Sequence, residues 1–133
     1  MPDDQQTLAR ALTELDGWRW SSGMWCEDQA DGERWVVIAG PDDDRRYRWC
    51  SERGRVVEDY SMAILPDILD PATAGLVLQL VPAPWRVQTG VREGGTVYRV
   101  TSSADDGRTW DSGWRPTLGE AAARACIAAG RCA

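Results

Sequence analysis

Asp42, Asp43 and Asp44 stand side by side in this chain, and Glu58 is followed by Asp59. Hard carboxylate oxygens suit Ca²⁺ or Mg²⁺, and paired carboxylates can serve general acid–base catalysis. Both motifs fail on spacing. The aspartate triple lacks the ligand spacing and glycine of a calcium loop, and Arg45 and Arg46 beside it repel a cation, so it reads as a solvated turn. Glu58 and Asp59, as neighbours in an extended segment, point to opposite faces. The chain has no His, and all 15 of its basic residues are Arg, which removes the usual general base and the Schiff-base amine. Cys26, Cys50, Cys126 and Cys132 form no C-x-x-C pair, so no zinc site is expected and the thiols read as reduced packing residues. No catalytic residue, metal site or cofactor follows.

Aromatic residues carry the stronger signal. The chain has 8 Trp and no Phe, so Trp must serve as the large core aromatic, and Trp35, Trp49 and Trp85 fall at alternating inward positions. Trp110 and Trp114 flank Asp111-Ser112-Gly113 beside the turn Asp105-Asp106-Gly107. Trp next to Arg and Asp is either further core packing or an interface hot spot. The candidate binding residues are therefore Trp110, Trp114, Asp105 and Asp106, with Asp42, Asp43 and Asp44 as a second acidic patch.

Net charge is −6 and the pI is near 4.6. A non-specific nucleic-acid or anionic-membrane binder needs clustered positive charge, so direct nucleic-acid binding is not expected. Acidity fits plain solubility or an acidic face that docks on a basic partner. The start, MPDDQQTLAR, is acidic where a secretory leader would be basic. The longest apolar run, Leu76–Val81, is broken by Gln79 and too short to span a bilayer. A soluble, cytoplasmic protein is expected. The joint absence of Lys, Asn and Phe, which share A/T-rich codons, points to a GC-rich genome.

The elements that must position these residues read as an α+β domain. Asp4–Asp16 is an amphipathic helix with Leu8, Ala11, Leu12 and Leu15 on one face, capped by Asp3 or Asp4 and stopped by Gly17. Trp18–Arg55 reads as strands: Trp18–Trp20, Gly23–Glu27, Arg34–Ala39 (apolar on both faces, hence covered on both) and Arg45–Cys50. Val56–Met62 is a weaker strand or loop. Leu65–Val81 is the expected centre of the fold: Asp70 N-caps a helix with Pro71 in its first position, apolar nearly all round and hence buried. Trp85–Val91, Thr96–Ser102 and Thr109–Arg115 are strands, with Gly94-Gly95 as a two-residue hairpin loop. Thr117-x-x-Glu120 is a capping box opening a final helix, with Leu118, Ala122, Ala125, Cys126 and Ala129 apolar and Gly130 as its stop. The order is α-βββ(β)-α-βββ-α, a mainly antiparallel sheet with three helices. RWVVIAGPDDDRRYRW and VYRVTSSADDGRTW suggest two imperfect βββα repeats, 18–81 and 85–130, within a single domain 1–133.

Three segments, Gly17–Trp20 (GWRW), LPDILDPATAGLVLQL at Leu65–Leu80 and TLGEAAARACIAA at Thr117–Ala129, together resemble the small phage-encoded proteins of the phage ABA sandwich type. The resemblance covers most of the chain, although Gly23–Tyr60 is richer in strands than that pattern. It implies phage or prophage origin in a GC-rich bacterium and a compact α/β sandwich, and it brings no catalytic residues. Taken with small acidic form and missing catalytic equipment, it implies a non-enzymatic interaction protein binding a host or viral protein, with inhibition of a bacterial defence system as one form. The alternative is a small-ligand or nucleotide-binding module with a Trp-lined pocket between sheet and helix. An apolar edge strand or the Ala-rich helix could also make a homodimer.

Overall fold

The computed structural model describes residues 1–58 and 63–133. Asp59, and with it the Glu58–Asp59 pair and the end of the expected Val56–Met62 strand, lies outside the described residues. The chain runs α1 (Asp3–Thr13), β1 (Trp25–Asp28), β2 (Arg34–Ala39), β3 (Arg48–Ser51), β4 (Val56–Glu58), β5 (Ile64–Pro66), α2 (Pro71–Leu78), β6 (Trp85–Arg92), β7 (Gly95–Ser103), β8 (Thr109–Asp111) and α3 (Leu118–Ala129). This is an α+β fold in roughly the expected order, with five strands rather than three or four between α1 and α2 because Ile64–Pro66 pairs with β1, and its antiparallel strands form two sheets rather than one. The five-stranded sheet runs β4-β3-β2-β1-β5 and the three-stranded sheet β6-β7-β8.

Local chemistry explains the helices. Asp70 caps α2 by accepting the Thr73 N–H at 3.0 Å, with Pro71 in the first turn. Thr117 caps α3 by accepting the Glu120 N–H at 3.2 Å, and Gly130 ends it in the left-handed region at φ 76°. For α1 the expected aspartate cap is not used: Pro2 is the N-cap, with no side-chain bond. Asp3 and Asp4 lie inside the first turn, where their charge favours the helix dipole.

The long-range order departs from expectation in four places. Trp18–Trp20 is not a strand. It is an aromatic lid on the five-stranded sheet, with Trp18 edge-on to Trp20 at 5.3 Å, Trp20 edge-on to Trp49 at 5.0 Å, and Tyr47 beside Trp49 at 6.1 Å. β2 is covered on one face only: Trp35 and Val37 are buried, whereas Ile38 is 45% exposed. β6 is largely exposed rather than half-buried. Finally, α2 is not the centre. It stops at Leu78 and buries only Thr73, Ala74 and Val77, while Leu80 and Val81 are buried beyond its end.

The element that touches the others is α3, which packs on α1, α2, β7 and β8. Its small side makes this feasible: Ala121, Ala122, Ala123, Ala125 and Cys126 are fully buried, and Gly119 lies against the Ile68 carbonyl with no room for a Cβ. At its far end the Cys132 N–H donates to the Asp16 carbonyl at 2.8 Å, tying α3 to the end of α1.

Candidate functional site

The three-stranded sheet is built from one hairpin and a short third strand. Its register runs from Arg92↔Gly95 to Trp85↔Ser102, so the loop is Glu93-Gly94, one residue earlier than Gly94-Gly95. That shift decides which backbone groups are free. A pair closing a two-residue loop must exchange both hydrogen bonds, and bonding alternates outward from there. Arg86, Gln88, Gly90 and Arg92 therefore bond to β7. The bond from the Ser103 N–H to the Pro84 carbonyl, 3.1 Å, continues the same phase. Trp85, Val87, Thr89 and Val91 turn their N–H and C=O groups away from the sheet.

Side chains split by the same alternation. Val87 and Trp85 oppose Val100 and Ser102, which are buried against the helices at 0% and 2% exposure. Beyond the reach of that cover, Val87 is 37% and Val91 82% exposed. The opposite face carries Arg86, Gln88, Gly90 and Arg92. Trp114 folds back over it: a Cβ at Gly90 would lie 3.4 Å from the Trp114 ring and 3.6 Å from Val97. Gly90 thus leaves a seat for the indole. The Arg92 guanidinium stacks 5.4 Å from the Trp114 ring centroid, and the ring stays 38% exposed. On the same face Arg99 holds Asp111 in a bidentate pair, and that guanidinium draws the Asp111 carboxyl below its usual range.

Trp110 and Trp114 do not form one patch. Trp110 pairs with Ser102 on the helix-side face and is half-buried, with Arg108 5.6 Å over its ring. Asp105 and Asp106 occupy the β7–β8 turn. Asp106 accepts the Arg108 backbone N–H at 3.1 Å and its Nε at 2.7 Å, which lowers the Asp106 pKa. Asp42, Asp43 and Asp44 form the β2–β3 turn of the other sheet. There the Asp42 carboxylate accepts the backbone N–H groups of Arg46 and Asp44, at 2.8 and 2.9 Å, and its pKa falls accordingly. Arg46 also pairs with Asp44 at 3.0 Å. Among the described residues no group of three His, Cys, Asp or Glu is placed to hold a metal ion.

A Trp-lined pocket exists, at the open end of the small sheet rather than between sheet and helix. It encloses about 440 Å³ among Trp85, Arg86, Arg99, Thr101, Thr109 and Trp110. The pocket between helices and sheet, about 300 Å³ beside Tyr98, Pro116 and Gly119, has no Trp. Burial pushes the Cys26 thiol up to about 12. Cys126 and Cys132 share a hydrogen bond that holds Cys132 below the usual thiol value and, with burial, raises Cys126.

The feature of this site that the residue pattern does not give is the β6 edge. Its signal was present as a long valine-bearing strand without Lys or Pro, but edge position is not a sequence property. Among the described residues no helix is long and apolar enough to cross a membrane. No protein family, curated protein or solved structure matches the chain.

Proposed function

We propose that this chain is a non-enzymatic phage or prophage protein that works by binding a host or viral protein, docking it on the three-stranded sheet. The observation that carries this is Trp114, seated over Gly90, stacked by Arg92 and still exposed on an open sheet face. Trp and Arg are the residues whose burial most often dominates protein interfaces. Charge is segregated as well: acids outnumber arginines before residue 82, and arginines outnumber acids after it. The resemblance of Gly17–Trp20, Leu65–Leu80 and Thr117–Ala129 to phage-encoded proteins supports the origin, and occlusion of a defence protein is the activity it suggests.

The test is affinity capture of the tagged chain from a GC-rich bacterial lysate, read by mass spectrometry, alongside the Trp114→Ala/Arg92→Glu variant. One protein enriched stoichiometrically by the wild type and lost with the folded variant supports the proposal. Capture that is absent, or equal for both, refutes it. The Trp85–Trp110 pocket favours a second reading, a small-ligand module taking an aromatic anion. A melting temperature that rises with nucleotide concentration would support that reading by mass action.

A further inference from the structure

We infer that β6 is an acceptor edge: it takes an extended acidic segment of the partner protein as a fourth strand of the small sheet. This rests on the reading that the three-stranded sheet is the binding face, and it names how that face is used and by what chemistry.

Edge length is the first argument. Among the described residues the other sheet edges, β4, β5 and β8, are 3 residues each, whereas β6 is 8. Short edges are how proteins avoid pairing with other chains, and a long bare edge is a template for it. Among the described residues, positions 85–92 make no hydrogen bond outside the β6–β7 ladder. Trp85, Val87, Thr89 and Val91 therefore hold out four donors and four acceptors in the spacing that an added strand satisfies.

Charge selects the occupant. Arg86 and Arg92 stand on one face at the two ends of the strand, roughly 20 Å apart at a strand's rise per residue. Neither has an acidic partner among the described residues, and no acid lies within β6. A strand with carboxylates opposite both arginines and small β-branched residues between them complements this edge. A second copy of the chain does not. Two-fold pairing centred on Thr89 sets each Arg86 against an Arg92 of the copy, and centring on Gln88 sets Arg86 against Gly90, leaving both arginines without an acid.

The probe is the acetylated, amidated peptide EVTVTVE, whose terminal glutamates fall opposite Arg86 and Arg92. Its binding is followed by amide NMR of the whole chain. The expected result is slowed exchange at Val87, Thr89 and Val91 and weaker binding at high salt, with the peptide RVTVTVR binding about tenfold more weakly. Thr89→Pro removes an outward N–H without breaking a β6–β7 bond, and should weaken EVTVTVE at least about tenfold. Should that variant lose its fold, Arg86→Glu/Arg92→Glu replaces it and must invert the peptide preference.

Absent protection of those amides, or equal binding to folded Thr89→Pro, overturns strand addition. Self-association of the wild type that Thr89→Pro abolishes overturns the acidic occupant in favour of a second copy. In the lysate capture, a partner lost with Trp114→Ala but kept by Thr89→Pro overturns strand pairing and leaves the docking face standing. A partner kept by both overturns the face itself.

Discussion

Gly119→Ala adds one methyl group where two elements approach most closely. The new Cβ would overlap the carbonyl oxygen of Ile68, come within 2.7 Å of its carbon and 3.4 Å of the Ala74 Cβ. Carbon and carbonyl oxygen ordinarily sit about 3.3–3.6 Å apart, so the start of α3 or the turn before α2 must retreat by over about 1 Å. That turn is not free to move. Ile68 is 1% exposed, the Asp67 N–H donates to the Trp25 carbonyl at 2.9 Å, and the Asp70 N–H to the Asp67 carbonyl at 3.1 Å. Overpacking a core costs about 1–3 kcal/mol, and a backbone obstacle belongs at the upper end. Alanine returns at most about 1 kcal/mol in helix propensity, less in a first turn. A net loss of about 2–3 kcal/mol remains, which for a chain of this size lowers the midpoint by roughly 10 °C. Urea unfolding followed by Trp fluorescence and calorimetry read it. Gly75→Ala is the internal contrast: it lies inside α2 with nothing within 4 Å of its new Cβ, and should gain about 0.5–1 kcal/mol. A Gly119→Ala protein as stable as wild type would refute the close-approach argument.

Asp70→Ala should cost about 1–2 kcal/mol in urea unfolding, because the carboxylate caps Thr73 N and also accepts from Thr73 Oγ1 at 3.1 Å, while that hydroxyl accepts the Trp25 N–H at 2.8 Å. Asp70→Asn should recover most of it. The Asp111 carboxyl, titrated by NMR, should lie below the ordinary aspartate range and return towards it in Arg99→Gln. Because the folded value is the lower one, the pair's contribution is fully present above the unfolded pKa and is lost as pH falls through the folded one; an unshifted Asp111 would show the pair to be absent in solution. Cys26, with its pKa near 12, should stay unlabelled by iodoacetamide at pH 8 until the chain unfolds, as peptide mass spectrometry would show. Rapid labelling in the native protein contradicts its burial.

Helix ends were legible because capping is a matter of three or four consecutive residues. Asp70-Pro71 and Thr117-x-x-Glu120 mark their own first turns: the Asp70 and Thr117 side chains accept the expected N–H groups, which for Thr117 is one half of the capping box. Buried Trp35 and Trp49 were legible too, since alternation marks one face of a strand and no Phe competes for the large core sites. Alternation does not say what covers a face. The Trp18–Trp20 segment alternates like a strand yet folds across Trp49, and β6 alternates like a half-buried strand yet lies mostly beyond helical cover. The candidate site was legible only in its residue types: Trp114 was singled out, but Trp110 lies on the other face and the two acidic turns belong to different sheets.

By itself, then, the sequence determined the α+β class, the rough order of elements, the N-caps of α2 and α3 and the lack of the usual His and Lys catalytic groups, all of which rest on short-range chemistry or composition. Tertiary structure decided the division into two sheets, the central place of α3 and the outward phase of β6. Those depend on pairings between distant residues, and on a loop placed at Glu93-Gly94 rather than one residue later, a shift that turns every backbone donor on the strand to the opposite side.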